Sequence, residues 1–263
     1  MCRNSYSHDD PDHAEDIAEG YSRLFQRLGH LDDLEAALRS WKLAVAATPA
    51  GHPDLARRQQ NLAVSYSQRF QILDNLKDLD SALKFGQAAV AATPTGHPDL
   101  PGCQQSLARF YTDSFRRLGN FHDLESALKY DQAAVAATPT DHPDLTGRQQ
   151  NLAVSYNDRY QQLGNLDDLE SALEYGQAAV TATPSCHPDL ARRQQNLAVF
   201  YHNRFQRLGN LGDLELALEY GQEAVAATPT GHPDLPCRQQ SLAVSYYNHF
   251  QILGKLKSSL KYD

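Results

Sequence analysis

A His-Pro-Asp tripeptide recurs five times in this chain, and its histidines are the first candidates for chemistry. The histidines stand 45 residues apart, at His52, His97, His142, His187 and His232. Histidine is a frequent zinc ligand, and zinc holds its ligands at about 2 Å. Equivalent residues of stacked helices lie on the order of 10 Å apart, which is the packing distance between helix axes. One histidine per repeat therefore cannot complete a metal site within a stack, and we expect the tripeptide to form a stiff turn and a helix start.

Enzyme chemistry finds no support elsewhere in the sequence. The chain has no phosphate-binding loop, no Gly-x-Gly-x-x-Gly after a strand and no Gly-x-Ser-x-Gly turn. Catalysis also needs a constellation of residues that occurs once, whereas each notable residue here occurs in several copies. We therefore expect no enzymatic activity, no catalytic residue, no metal and no cofactor.

The net charge and the cysteine positions indicate which partners and which cellular compartment to expect. The formal net charge of −8 and the pI of about 5.7 argue against attraction to nucleic acid or to an anionic membrane surface. No apolar run approaches the roughly 20 residues that cross a bilayer. The cysteines fall at non-equivalent positions of the repeat, unlike a disulfide framework or a zinc site, at Cys2, Cys103, Cys186 and Cys237. We expect a cytoplasmic protein with no nucleic-acid and no membrane partner.

The fixed period is the strongest structural signal. The segments 151–195 and 196–240 are identical at 32 of 45 positions without a gap. Repeats of 20–50 residues indicate stacked supersecondary units, each of which buries its apolar face on its neighbour. We expect a polar N-terminal tail at 1–13 and a single array at 14–263, with helix pairs at about 14–48, 54–93, 99–138, 144–183, 189–228 and a partial pair at 234–263.

Each unit is predicted to be a helical hairpin. The first helix begins near Asp54, and its apolar residues at 55, 62, 63, 66, 70 and 73 follow one helical stripe. A left-handed glycine should end it, with Asp74 as a strained exception in a series of Gly29, Gly119, Gly164, Gly209 and Gly254. The second helix should start near Asp78, where an acid complements the helix dipole, and stop at Pro94.

Two aromatic positions of the first helix are predicted to belong to the core, because they share the stripe of Leu62 and Leu73. One ladder comprises Tyr21, Tyr66, Tyr111, Tyr156, Tyr201 and Tyr246. The other comprises Phe25, Phe70, Phe115, Tyr160, Phe205 and Phe250.

The hairpin resembles a tetratricopeptide repeat. Ala82, Ala89 and Pro94 have the spacing of that repeat's small residues and closing proline, and Leu62, Ala63 and Tyr66 resemble its first helix. The period of 45 exceeds the family's 34, and Gly86 stands where the family has an aromatic residue. The Asn-Leu-Ala run is similar to repeats of the kinesin-light-chain type. The linker sequence is similar to that of repeat arrays in mushroom-forming fungi, and those arrays often accompany a caspase-like CHAT peptidase domain.

The resemblance implies an all-α, right-handed superhelical solenoid of antiparallel helix hairpins, with the first helix of each repeat lining a concave peptide groove. The candidate groove residues form three rows. The first is Arg58, Arg148, Arg193 and Arg238, interrupted by Cys103, and the second is Asn61, Asn151 and Asn196, with Ser106 and Ser241 between them. A third row is Ser65, Phe110, Ser155, Phe200 and Ser245. Asparagine would bind backbone amides and arginine would bind carboxylates. The alternative is that these residues solvate a helix face or pair between neighbouring units.

These expectations combine into a functional hypothesis. We predict a non-catalytic scaffold that binds a peptide or partner protein in the concave groove. The alternatives are a truncated sensor or regulatory arm of a larger signalling enzyme, such as a CHAT peptidase protein, and a degenerate duplicate without function. The segment from Leu256 to Asp263 resembles the start of a second helix, from Leu124 to Asp131. We therefore expect the array to stop halfway through a hairpin, with an uncapped end through which the chain can self-associate.

Overall fold

The computed structural model describes residues 10–259, with side chains as far as residue 253, and all regular structure in that range is α-helical. The first six helices are α1 Pro11–Leu28, α2 Leu31–Ala47, α3 Leu55–Leu73, α4 Leu76–Ala92, α5 Leu100–Leu118 and α6 Phe121–Ala136. The others within those residues are α7 Leu145–Leu163, α8 Leu166–Thr181, α9 Leu190–Leu208, α10 Leu211–Ala226 and α11 Leu235–Ser259.

The chain divides after Thr138 into two compact units. In the first unit, α1 pairs with α2, α3 with α4 and α5 with α6, and consecutive hairpins stack through α2 on α3 and α4 on α5. In the second unit, α7 pairs with α8 and α9 with α10, while α8 packs on α9 and α10 on α11. The predicted all-α architecture of repeated helix hairpins is confirmed. Odd-numbered helices are the first helices of their repeats, and even-numbered ones are the second.

The His-Pro-Asp tripeptide organises the start of each first helix. Asp54 lies in the right-handed helical region, and its side chain makes no capping hydrogen bond. His52 supplies a bond instead, since its Nδ1 accepts the backbone N–H of Asp54 at 3.2 Å. The same bond recurs at 3.1–3.2 Å from the histidines at 97, 142, 187 and 232. The histidine is thus a backbone acceptor in its turn.

The first helices end in the left-handed region, as predicted. Asp74 has a φ of 50° and is the one non-glycine residue with positive φ in the described part of the chain. Its carboxylate is held by Arg117 of the next first helix, whose Nε lies 2.9 Å from Oδ1. The predicted stop at Gly254 is wrong, because α11 continues through it to Ser259. The segment from Leu256 therefore extends α11 as far as Ser259, and the remaining residues lie outside the described part.

The second helices begin two residues earlier than predicted. Asn75 caps α4, because its side-chain Oδ1 accepts the backbone N–H of Lys77 at 3.1 Å. Equivalent asparagines cap the other second helices from α6 onward, at Asn120, Asn165 and Asn210. An asparagine N-cap is among the most favourable, which explains the earlier start.

The acid predicted to complement the helix dipole also joins the two helices of four hairpins, from α3–α4 to α9–α10. Asp213 is buried at the start of α10, and its carboxylate accepts two hydrogen bonds from Arg204 of α9, at 3.1 and 2.7 Å. The same forked pair joins Arg69 to Asp78. Hydrogen bonding to Asp213 raises the pKa of the Arg204 guanidinium. In the third repeat a neutral donor takes this place, since Ser114 Oγ donates to Asp123 at 2.7 Å.

The apolar core follows the predicted stripe, but the aromatic ladders are only partly inside it. Tyr66 and Phe70 are buried, most of the other ladder residues are half-buried, and Tyr21, Tyr246 and Phe250 are exposed. The tyrosine ladder stacks on aromatic residues of the second helix, a pairing that the sequence analysis missed. The stacked pairs have ring centroids 5.9–6.0 Å apart and are Tyr66–Phe85, Tyr111–Tyr130, Tyr156–Tyr175 and Tyr201–Tyr220.

Candidate functional site

The arginine row proposed for the groove lies inside the array. Arg58 is 1% exposed, and its Nη1 donates to Thr48 Oγ1 at 2.6 Å. Thr48 Oγ1 in turn donates to the carbonyl of Ala44, so the threonine joins the arginine to the end of the preceding helix. The same arginine-threonine bond recurs between Arg193 and Thr183 and between Arg238 and Thr228. Arg148 is buried as well.

These contacts favour pairing between neighbouring repeats over contact with a peptide. Arg58 also bonds the carboxylates of Glu15, at 2.9 Å, and Asp12 of α1. Cys103, which interrupts the row, is buried with its Sγ 3.9 Å from Thr93 Oγ1, and burial raises the pKa of its thiol. The row therefore fastens first helices to the preceding hairpin, with cysteine as an apolar substitute in one repeat.

The asparagine row lies nearer the surface. Asn61, Asn151 and Asn196 are all half-buried, as are Ser106 and Ser241 at the equivalent positions. Asn61 lines an open cavity of about 310 Å³ between α1 and α3, whose floor is Trp41 of α2. We name it the Trp41 cavity. Its other lining residues are largely polar and comprise Glu19, Ser22, Arg23, Gln26, Val64, Ser65 and Gln68.

A second cavity occupies the equivalent place in the second unit. It has a volume of about 160 Å³, lies between α9 and α11, and has Gly221 of α10 on its floor. We name it the Gly221 cavity. Six of its residues stand four repeats after residues of the Trp41 cavity: Val199 after Glu19, His202 after Ser22, Gly221 after Trp41, Ser241 after Asn61, Val244 after Val64 and Ser245 after Ser65. Two independent openings at the same repeat positions mark this face of the first helices as the candidate site.

The side-chain sizes at two positions 24 residues apart, one on a second helix and one on the next first helix, decide how much of the space between the helices is filled. In two repeats the second helix has glycine and a phenylalanine of the next first helix lies over it. A Cβ on Gly86 would be 3.1 Å from the ring of Phe110, and one on Gly176 would be 3.2 Å from the ring of Phe200. Where the second helix has Trp41, the next first helix has only Ser65.

In the last of these pairs neither residue is large, so no large side chain faces a small one. Gly221 and Ser245 are both small, and only Leu242 approaches Gly221, with its Cδ1 3.1 Å from where a Cβ on that glycine would lie, so the Gly221 cavity remains. Leu242 beside it is only half-buried, whereas the equivalent Leu107 and Leu197 are fully buried. The sequence analysis placed Ser65, Phe110 and their equivalents in one row. It did not pair that row with the glycine position, although the reciprocal sizes were visible.

His202 forms part of the wall of the Gly221 cavity. Its Nδ1 lies 3.2 Å from Ser245 Oγ, and its Nε2 lies 2.8 Å from the side-chain amide of Gln206 and 3.4 Å from that of Asn248. Burial lowers the pKa of His202 below its ordinary value. The imidazole is therefore held neutral near pH 7, as an uncharged hydrogen-bonding wall.

The lowered pKa of His202 predicts a pH-dependent stability. Because the unfolded chain takes up the proton at a higher pH than the folded one, stability is complete above the unfolded pKa of about 6.5 and falls as pH drops below it. The difference in stability between wild type and His202→Asn, which copies Asn157, should therefore shrink between pH 7.5 and pH 5.5. Denaturant midpoints of both proteins at each pH check this, and parallel pH profiles would contradict it.

Three further observations concern a membrane span, a metal site and the exposed residues of α11. No helix in the described range is long and apolar enough to cross a membrane. Within the same residues, no group of three histidine, cysteine or acidic side chains is placed to hold a metal ion. Helix α11 exposes Val244, Tyr246, Tyr247 and Phe250. Self-association through this end of the chain stays a prediction.

Comparisons with known proteins agree with this geometry at the level of fold. No family model and no curated protein matches the sequence. Among solved structures, the chain is similar to a "Podosopora anserina putative kinesin light chain" with nearly identical TPR-like repeats. The TM-score is 0.61 at 20% identity, and the match covers 83% of this chain and 96% of that one.

Two further structures support the same fold. A thermophilic TPR protein of Thermus thermophilus matches with a TM-score of 0.57 at 20% identity, over 86% of this chain and 99% of that one. YrrB, described as a TPR protein with an unusual peptide-binding site, matches with a TM-score of 0.55 at 17% identity, over 88% of this chain and 93% of that one. The chain is a TPR-like array of helical hairpins. The predicted resemblance to tetratricopeptide arrays, including those of the kinesin-light-chain type, is confirmed at the level of fold.

Proposed function

We propose that this chain is a non-catalytic interaction protein that binds a peptide or partner segment on the face of its first helices. The observation that carries the proposal is the recurrence of one opening at equivalent repeat positions, as the Trp41 cavity and the Gly221 cavity. Concave sites with a few convergent polar groups are the usual form of binding sites in proteins. YrrB, which shares the fold, is described as having a peptide-binding site.

The two cavities offer different chemistry to a peptide. The Trp41 cavity presents amide and charged groups from Asn61, Gln68 and Arg23, which suit the backbone and polar side chains of a peptide. The Gly221 cavity is lined mainly by apolar side chains such as Ala198, Val199 and Leu242. The asparagine row thus remains part of the proposed site through Asn61, whereas the buried arginines support it from beneath.

The alternative role as a sensor or regulatory arm of a larger signalling enzyme places the same face in a different context. It too would require a bound segment, so the face of the first helices is the part to test.

The proposal is tested with peptides selected from a random library against the whole chain. The test variant combines Val64→Asp with Val244→Asp, which puts one carboxylate into each cavity. Burying an unpaired charge against an apolar ligand surface is costly, so we expect an affinity loss of roughly tenfold or more, measured by fluorescence anisotropy.

The matched control combines Leu43→Asp with Leu211→Asp. These leucines are exposed on second helices, so the control adds the same charge and removes similar apolar surface elsewhere. Its affinity should stay within about twofold of wild type, since changes outside a binding surface are near neutral. Equal binding by the two variants, with circular dichroism showing both folded, would rule out this face as the binding surface.

A further inference from the structure

The Gly221 cavity lies at the position where two other repeats place a phenyl ring of the chain itself. In two other repeats the glycine of the second helix is covered by a phenyl ring, Phe110 over Gly86 and Phe200 over Gly176, and both phenylalanines are buried. At Gly221 the residue that would carry the ring is Ser245, which is itself buried beside the opening. The chain thus shows twice which group fits this floor.

The size and lining of the cavity match one such ring. Its volume is about 160 Å³, and Ala198, Val199, Ala217, Leu242 and Val244 contribute to its walls. An apolar cavity of roughly 150 Å³ stays dry and takes up benzene.

The proposed function supplies the carrier of the ring, which is a residue of the bound peptide. Gln195 also lines the cavity, and its Oε1 is buried without a hydrogen-bond partner in the described part of the chain, as are the equivalent atoms of Gln60 and Gln150. A buried acceptor without a partner is costly, and a ligand that supplies a donor removes that cost. Because this feature recurs in the repeats, the phenyl ring over the glycine, and not Gln195, identifies the ligand group.

We propose that the Gly221 cavity is a specificity pocket for the phenyl ring of a phenylalanine in a partner peptide. The proposal rests on the proposed function, because it names the side chain that a bound peptide inserts. The pocket reproduces the contact between phenylalanine and glycine that other repeats make internally. Here the ligand supplies the ring, because Ser245 has none.

The first experiment uses toluene as the probe and valine and leucine methyl NMR of the whole chain as the readout. Toluene should shift the methyl signals of Val199, Leu242 and Val244 in a saturable way. Ser245→Phe places the chain's own ring over Gly221, as Phe200 does over Gly176, and should weaken toluene binding at least tenfold. Gln251→Phe, which adds an exposed ring to the same helix, should leave it within twofold.

A gain-of-site variant guards against a misfolded Ser245→Phe protein. Phe200→Ser copies Ser245 and should create a second toluene site, reported by the methyl signals of Leu197 over Gly176. Absence of saturable toluene binding in the wild type, or binding that Ser245→Phe leaves unchanged while its spectrum stays folded, overturns the pocket.

The peptide arm separates this proposal from the proposed function. Peptides selected against the chain should be enriched in phenylalanine, and replacing that residue with alanine should cost at least tenfold in affinity to wild type but little to Ser245→Phe. If peptides bind the first helices without such a preference and toluene does not compete, the pocket is wrong and the proposed function stands. If toluene binds but no peptide does, the proposed function fails, and so does the assignment of the ring to a peptide.

Discussion

Replacing Phe200 with serine is expected to lower the free energy of unfolding by about 3–5 kcal/mol, which is the range for removing a buried phenylalanine side chain. Phe200 is 2% exposed and packs in one cluster with Leu169, Ala172 and Leu197. Its ring lies over Gly176, so the substitution opens a floor like that of the Gly221 cavity. Urea denaturation followed by circular dichroism measures the effect.

A compensating change gives this prediction its sharpest form. Gly176→Trp alone should destabilise by about 1–3 kcal/mol, because the new side chain meets the ring of Phe200. Combined with Phe200→Ser, it copies the pair of Trp41 in the first repeat and Ser65 in the second, so the double variant should recover part of the loss. We expect a favourable coupling of about 1–3 kcal/mol in the double-mutant cycle. Phe250→Ala, at an exposed ring, should cost less than about 0.5 kcal/mol. Additive effects of the two changes would show that these positions do not share one space.

Replacing Arg204 with leucine should destabilise the chain by about 3–5 kcal/mol. The side chain of Asp213 is only 3% exposed and accepts two hydrogen bonds from Arg204, so the substitution leaves a buried carboxylate without its main partner. Removing one partner of a buried pair is far more costly than the net contribution of the pair itself. Thermal and urea denaturation both measure the loss.

The third repeat provides the control for this clamp. There Ser114 donates one hydrogen bond to Asp123 from the position that arginine occupies elsewhere. Arg204→Ser should therefore be less destabilising than Arg204→Leu, despite its smaller side chain, because the hydroxyl can still donate to Asp213. Arg207→Leu, at an exposed arginine of the same helix, should be nearly neutral. A serine variant as unstable as the leucine variant would assign the effect to lost packing.

The helices could be predicted from the sequence because the signals for them are local. The 45-residue period, the apolar stripe through Leu62, Tyr66 and Leu73, and the turn residue at Asp74 each depend on neighbours within one hairpin. Even the left-handed conformation of Asp74 followed from its place in the glycine series. The early start at Asn75 was missed because the acid at Asp78 was taken as the first-turn signal.

The site was harder to predict because it depends on which residues face each other across helices. Arg58 stands four residues before Leu62 and so belongs to the buried stripe, which helical spacing alone could have indicated. Its threonine partner in the preceding hairpin could not be read from that helix. The pairing of Trp41 with Ser65 and of Gly176 with Phe200 depends on the register in which successive hairpins stack. The acceptor role of His52 depends on a side-chain rotamer.

The most direct test of the binding face is methyl NMR of the whole chain with a peptide selected against it. We expect the signals of Val64, Val199 or Val244, which line the two cavities, to shift on titration, while those of Val45, Val90 and Val225 on the second helices remain in place. Shifts confined to the second-helix valines, with the cavity valines unchanged at saturation, would contradict the account.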